Sequence, residues 1–161
     1  METRGVFAPT TSAEAIDRYE DVGPMARVVV RETAKAMGFD ADEYDERVTP
    51  AVVETARDAA FAELLAVTLA DRAEFDDWLD ASEFTDDDVI RLGSEHVDRV
   101  AWHPVPFAET VVATTFQKEP EAAASTLRRN AFGRVYRDVV AENTDGQRSS
   151  AGRETRPDKH R

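Results

Sequence analysis

The chain has no cysteine, only three lysines and no long apolar run. Without cysteine it cannot form a disulfide, a thiolate metal site, an iron–sulfur cluster or a cysteine nucleophile. The longest apolar stretch, Ala59–Leu69, is broken by Glu63 and is far shorter than the roughly 20 residues of a membrane span. The first residues carry no apolar segment of the kind found in secretory signals. We therefore expect a cytoplasmic protein that does not enter a membrane.

Basic residues are also scarce relative to acidic ones. The chain has 33 acidic and 20 basic residues, a net charge of −13 and a pI near 4.6, and 17 of the basic residues are arginine. In dilute solution such a charge repels itself, but molar salt shortens the Debye length to about 3 Å and screens this repulsion. Abundant acid, little lysine and much alanine are typical of a protein from a salt-rich cytoplasm. Because the acids are spread along the chain, an acidic protein that binds a basic partner is the less favoured interpretation.

The length of 161 residues predicts one domain, residues 1–142, followed by a polar tail, residues 143–161, that we expect to be disordered. Helix starts are indicated at Thr11-Ser12, with a helix to about Glu20, and at Gly23-Pro24 and Thr49-Pro50. Other helices are predicted around Phe75–Leu79 and over Pro120–Val140. In the Thr49-Pro50 helix the predicted core face is Val52, Val53, Ala56 and Ala60, extended by Leu64. The predicted strands are Leu64–Ala70, Val89–Gly93, Val100–Val105 and Thr110–Phe116, the last two forming an antiparallel hairpin. The fold class is α+β: N-terminal helices, a small and mostly antiparallel sheet of about four strands, and a long C-terminal helix packed on the sheet.

Two of the three histidines lie in the stretch Ser94–Phe116. Ser94-Glu95-His96 suggests a nucleophile and base, but the surrounding residues do not form the Gly-x-Ser-x-Gly turn, so we predict an ordinary turn between strands. His96 and His103 are seven residues apart, which matches no recurrent metal-ligand spacing. Trp102 shares a strand face with the apolar Val100, so we expect His103 on the opposite face, exposed or partly buried and hydrogen-bonded to backbone.

Asp86–Asp88 supplies oxygen ligands that would suit a hard cation. It lacks the glycine and the spaced ligands of a calcium-binding loop, so we predict a solvated turn before a strand. We expect no catalytic residue, no metal and no cofactor from these motifs.

Positive charge is concentrated in the last predicted helix, where residues 122–140 carry four arginines and one aspartate. At 100° per residue, the core stripe of this helix is Leu127, Ala131, Val135 and Val139, with Phe132 and Tyr136 alongside. Arg128 falls between these apolar rows. It must therefore pair with the acidic body of the protein, reach an edge, or face a cleft where its guanidinium could bind an anion.

Two functions remain open on these observations. The first is a small non-catalytic binding or interaction protein that uses a sheet edge, the groove beside the last helix, or a homodimer contact, with a protein partner or a second copy as its partner. The alternative is a phosphate- or carboxylate-binding domain, or an enzyme, with a pocket formed by Arg128, Arg129, His103 and Tyr136. Nucleic acid is a less favoured partner because the surrounding field is negative and no stacking platform is evident.

Four stretches together resemble an uncharacterised haloarchaeal protein family, a domain of unknown function, over roughly Gly5–Val140. They are FAPTTSAEAIDRYEDVGPMARVVVRETAKAMGFD, ERVTPAVVETARDAAFAELLAV, GSEHVDRVAWHPVPFAETVVATTFQ and TLRRNAFGRVYRDVV. The resemblance implies a taxonomic setting and a domain extent. It implies no activity, cofactor or catalytic residue.

Overall fold

The computed structural model describes residues 1–141, which form an α+β domain. The helices are α1 (Ser12–Asp21), α2 (Gly23–Ala36), α3 (Ala41–Arg47), α4 (Pro50–Glu63), α5 (Arg72–Ala81) and α6 (Pro120–Ala131). The strands are β1 (Glu2–Arg4), β2 (Val67–Asp71), β3 (Val89–Leu92), β4 (Arg99–Val105) and β5 (Thr110–Phe116). The predicted tail, residues 143–161, lies outside the described residues. No helix among residues 1–141 is both long enough and apolar enough to cross a bilayer.

Four helix starts follow from local capping chemistry, and those predicted at Thr11 and Thr49 are confirmed. The side chains of Thr11, Asp40, Thr49 and Asp71 each accept a hydrogen bond from the backbone N–H three residues later. Gly38 follows the end of α2 with φ of +76°, the left-handed conformation typical of a helix C-terminus. Beyond α6 the helix continues through a π-helical turn, Phe132–Tyr136, and helical residues 137–141.

The five strands form one mixed sheet with the order β1-β2-β4-β5-β3. The predicted hairpin of β4 and β5 is confirmed, and every neighbouring pair is antiparallel except the parallel pair β3 and β5. The prediction of about four strands missed β1, which has only three residues and no apolar alternation to reveal it. The α+β class and the packing of the C-terminal helix on the sheet are confirmed.

Both faces of the sheet are covered, and this corrects one expectation from the sequence. Helices α1, α4 and α6 enclose the larger core on one face, around Phe61 and Leu127, while α5 covers the other face, where Trp102 is buried. Along β4 the side chains alternate between the two cores, so the face opposite Trp102 is also interior. His103 is therefore fully buried, with 0% exposure, and the expectation of an exposed or partly buried side chain was wrong.

The core face of α4 is the predicted one only in part, since Ala60 and Leu64 pack against the main core. Val52 is 42% exposed, whereas Phe61 is fully buried and contacts the rings of Tyr19, Phe132 and Tyr136. The buried residues of α4, Phe61 and Ala62, lie at its C-terminal end. The helix also packs beside α2.

Candidate functional site

His103 is held between two partners inside the larger core. Its Nδ1 lies 2.6 Å from the carbonyl oxygen of Ala66, and its Nε2 lies 2.6 Å from the hydroxyl of Tyr136. A carbonyl oxygen only accepts, so Nδ1 carries the hydrogen. Burial lowers the pKa of His103 to about 4, so at neutral pH the ring is uncharged and Nε2 accepts from the Tyr136 hydroxyl. Both ring nitrogens of His103 are thus engaged in hydrogen bonds. Burial raises the pKa of Tyr136, so its hydroxyl stays neutral.

Arg128 is bound to backbone rather than primarily to carboxylates. Its Nε donates to the carbonyl of Leu65 at 2.9 Å and a terminal nitrogen donates to the carbonyl of Arg4 at 3.2 Å, while Glu63 is 3.9 Å away. The side chain is only 11% exposed. It therefore ties β1 to the connection between α4 and β2, and its charge disfavours protonation of nearby His103.

The structure brings three of the four predicted ligand-binding residues together. His103 and Arg128 bond the consecutive carbonyls of Ala66 and Leu65, and Tyr136 completes the group. Arg129 is exposed and lies outside this arrangement. The two cavities beside Ser94 and Arg57 are lined by none of these four residues. The arrangement is an interior polar network that stabilises the junction of α4, β2 and α6.

The Ser94-Glu95-His96 motif forms an exposed turn, as predicted. The Ser94 hydroxyl accepts from the backbone N–H of His96 at 3.2 Å, so it serves the turn. The adjacent cavity, lined in part by Arg72 and Arg91, has a volume of about 30 Å³, which is room for little more than water.

Asp86–Asp88 forms the predicted turn before β3, as a single 3-10 turn. Asp88 accepts from the backbone N–H of Thr85, and Asp86 pairs with Arg91 at 2.9 Å. Within residues 1–141, no three side chains of the metal-binding types come close enough to share an ion.

The structure also contains a much larger cavity, which was not predicted from the sequence. A cleft of about 540 Å³, which we call the helical cleft, lies among α1, α2, α3 and α4, and its volume is in the range of small-molecule sites. The lining residues are Tyr19, Gly23, Arg27, Arg31, Tyr44, Val48, Thr49, Pro50, Val53, Glu54 and Arg57.

The helical cleft is positively charged although the protein is strongly acidic. Its lining contains three arginines and one glutamate, a net charge of +2, in a chain of net charge −13. Arg27 makes no ion pair with any residue that the structure describes, and Arg31 is 3.6 Å from the carboxylate of Glu32 beside it. The cleft thus presents cations that the abundant acids of the protein leave accessible.

Arg57 is the most firmly positioned of these cations. Its Nε donates to the carbonyl of Tyr19 at 2.8 Å, and its guanidinium lies 4.1 Å from the centre of the Tyr19 ring. The Tyr19 hydroxyl in turn donates to Asp58 at 2.6 Å, and burial together with this bond raises the pKa of Tyr19. Both terminal nitrogens of Arg57 have no partner among residues 1–141, so a planar fork of donors remains for a ligand.

Two helix N-termini also open on the helical cleft. Gly23 and Pro50 are the first residues of α2 and α4, and both belong to its lining. The start of each helix carries a partial positive charge, and α2 has no side-chain cap because Val22 precedes it. A Cβ added at Gly23 would lie 3.3 Å from the Arg57 guanidinium carbon, so glycine lets that side chain lie against the start of α2.

One sequence signal for the helical cleft existed and was missed. Gly23, Arg27 and Arg31 follow one another at intervals of four residues and so share a face of α2. Pro50 and Arg57, which are seven residues or about two helical turns apart, share a face of α4. Nothing in the local pattern shows that these two faces meet, because the contact depends on how α2 and α4 pack.

Exposed apolar side chains also lie along α2. Met25, Val28 and Val29 are 47%, 46% and 54% exposed, and their spacing places them on one side of the helix. They do not identify an occupant. A protein partner or homodimer therefore stays a prediction.

The protein is thus an α+β domain that contains a basic cavity large enough for a small molecule. A family model described as a family of unknown function, DUF5809, matches residues 6–137, and the chain belongs to this family. The match agrees with the domain extent and the unknown function that the sequence resemblance implied. No match is found among curated proteins or among solved structures.

Proposed function

We propose that this protein is a non-catalytic binding domain that holds a small anionic ligand in the helical cleft. The observation that carries the proposal is the convergence of Arg27, Arg31 and Arg57 on one cavity in a protein of net charge −13. The ligand class is the phosphate or carboxylate of the alternative that the sequence left open. The site differs from the predicted Arg128, Arg129, His103 and Tyr136 pocket.

The interior network supports this choice of site. Both nitrogens of His103 are engaged, and Arg128 donates to two backbone carbonyls. A ligand there would have to displace these bonds and leave interior polar groups unpaired, which costs about 1–3 kcal/mol for each group. The helical cleft requires no such displacement.

Preorganisation favours Arg57 as the anchor. Its bond to the Tyr19 carbonyl and its position over the Tyr19 ring hold the guanidinium before a ligand arrives. A fixed fork loses less side-chain entropy on binding than a mobile one, and it matches the paired oxygens of a carboxylate or phosphate.

We also propose that the protein works in the cytoplasm of a halophile, as the composition and the haloarchaeal resemblance suggest. Molar salt would shorten the Debye length to about 3 Å, so the acidic surface would hardly repel an approaching anion. Binding would then depend on direct contacts with the arginines rather than on the overall field. A cleft with a fixed guanidinium is suited to that condition.

The experiment is a ligand screen in molar potassium chloride, using isothermal titration calorimetry with phosphate, citrate, phosphorylated sugars and nucleotides. The test variant is Arg27→Gln/Arg31→Gln, which removes two cleft charges that have no structural bonds to other elements. The matched control is Arg134→Gln/Arg137→Gln, which removes two exposed charges from the C-terminal helix.

We expect at least one anion to bind the wild type and the control equally. The cleft variant should bind it about tenfold to a hundredfold more weakly, because a charge-assisted hydrogen bond contributes about 1.5–3 kcal/mol. Absence of any anion binding to the wild type, or equal loss in both variants, would overturn the proposal.

A further inference from the structure

We infer that the ligand of the helical cleft is a nucleoside monophosphate, with its phosphate at Arg57, its sugar hydroxyls at Glu54 and its base against Tyr44. This inference rests on the proposed anion-binding function. The lining of the cleft combines cations, one unpaired carboxylate and an apolar wall. A simple inorganic anion would use only the cations.

One end of the cleft is where α2 begins beside α4. Gly23 lies against the Arg57 guanidinium, so the partial charge of the α2 N-terminus and the Arg57 fork act at the same place. A phosphate group accepts hydrogen bonds from both kinds of donor, and helix N-termini bind phosphate for this reason. Tyr19 beneath Arg57 keeps the fork in position.

Glu54 lies about one helical turn from Arg57 on the same helix, along the cleft. It is exposed and makes no ion pair or hydrogen bond with any residue in the described part of the chain. Its carboxylate would repel a second anionic group but would accept hydrogen bonds from hydroxyls. Acidic side chains bind the ribose hydroxyls of nucleotides in this manner. The ligand therefore carries hydroxyl donors next to its anionic group.

The Pro50 end of the cleft adds apolar and aromatic side chains. Pro50 is seven residues before Arg57, about 10 Å along α4 at 1.5 Å per residue. Tyr44 and Val48 line the cleft beside it, and both are half-buried. A planar base can stack on an aromatic ring whatever its identity. A sugar phosphate alone would leave this end unfilled, and a free nucleoside would leave the arginines without an anion.

The test uses calorimetry on the full chain in molar potassium chloride with adenosine monophosphate, its 2′-deoxy form, ribose 5-phosphate, adenosine and inorganic phosphate. Adenosine monophosphate should bind at least about tenfold more tightly than ribose 5-phosphate or adenosine. It should also bind more tightly than the 2′-deoxy form.

Two variants assign the two contacts. Tyr44→Ala should lower the nucleotide affinity to that of ribose 5-phosphate and leave the ribose 5-phosphate affinity unchanged. Phe39→Ala, which removes an aromatic ring outside the cleft lining, should change neither affinity. Glu54→Ala should abolish the preference for the 2′-hydroxyl. If Tyr44→Ala does not fold, Tyr44→Leu removes the aromatic face and keeps an apolar side chain.

The outcomes separate the two proposals. If phosphate and ribose 5-phosphate bind as tightly as the nucleotide, and Tyr44→Ala changes nothing, the nucleotide inference fails and anion binding stands. If no anion binds, both fail. Binding of the nucleotide that is unaffected by Tyr44→Ala and by Arg27→Gln/Arg31→Gln would place the site elsewhere and overturn both assignments to the helical cleft.

Discussion

Acidification should destabilise this protein through the burial of His103. In the folded state burial, and to a smaller extent the charge of Arg128, lowers the pKa of His103 from 6.5 to about 4. The unfolded chain exposes the same ring, which then has its ordinary pKa. Between these two values the unfolded state takes up a proton that the folded state does not, so the free energy of unfolding falls as the pH falls. Above pH 6.5 the full stability is present.

The size of the effect follows from the two pKa values. Between about pH 7.5 and 5, the difference in proton uptake lowers the free energy of unfolding by about 2 kcal/mol. The loss approaches about 3 kcal/mol as the pH falls below the folded pKa. This is a large part of the stability of an ordinary domain.

Urea unfolding in molar potassium chloride, followed by tryptophan fluorescence at several pH values, measures this loss. His103→Gln should be less stable at neutral pH because it disturbs the bonds to Ala66 and Tyr136, but its stability should decline less between about pH 7.5 and 5. His96→Gln is the matched control, since His96 is exposed in a turn and should leave the wild-type decline unchanged. Parallel declines in the wild type and in His103→Gln would refute the argument that burial of this ring controls the pH response.

Three further predictions concern stability. Arg128→Met should lower the free energy of unfolding by about 2–4 kcal/mol, because the carbonyls of Leu65 and Arg4 lose charge-assisted bonds. The exposed neighbour variant Arg129→Met should change it by less than about 0.5 kcal/mol. Equal effects of the two variants in urea unfolding would contradict the network. Gly5→Ala should lower the free energy of unfolding by about 2 kcal/mol or more, because φ is +96° and the added methyl would overlap the carbonyl of Leu65. Gly38 also has a positive φ but faces open space, so Gly38→Ala should lower the free energy of unfolding by only about 1 kcal/mol in the same assay. The midpoint temperature of thermal unfolding should rise between dilute and molar potassium chloride, since salt screens the repulsion of a net charge of −13. A midpoint that stays flat or falls would count against a halophilic origin.

Much of the secondary structure could be predicted because its causes are local. Thr11 and Thr49 cap α1 and α4 through hydrogen bonds to residues three positions away, and Pro50 suits a first helical turn. The hairpin of β4 and β5 is encoded by two apolar runs with a short connection. These signals need no knowledge of the rest of the chain.

The candidate site could not be predicted to the same extent. The predicted pocket residues His103 and Tyr136 do meet, yet at a separation of 33 residues only the packing of the C-terminal helix on β4 decides that they bond to each other. The spacing of Arg27 and Arg31 is visible in the sequence, but Arg57 joins them only because α2 packs beside α4.

The sequence by itself determined the α+β class, the acidic character and the start of most helices, because composition, alternation and capping act over a few neighbouring residues. Tertiary structure alone decided that β1 joins the sheet, that His103 is buried and uncharged, and that the helical cleft is basic. Each of these depends on which distant surfaces exclude water from one another, and burial and packing are properties of the whole fold rather than of any segment.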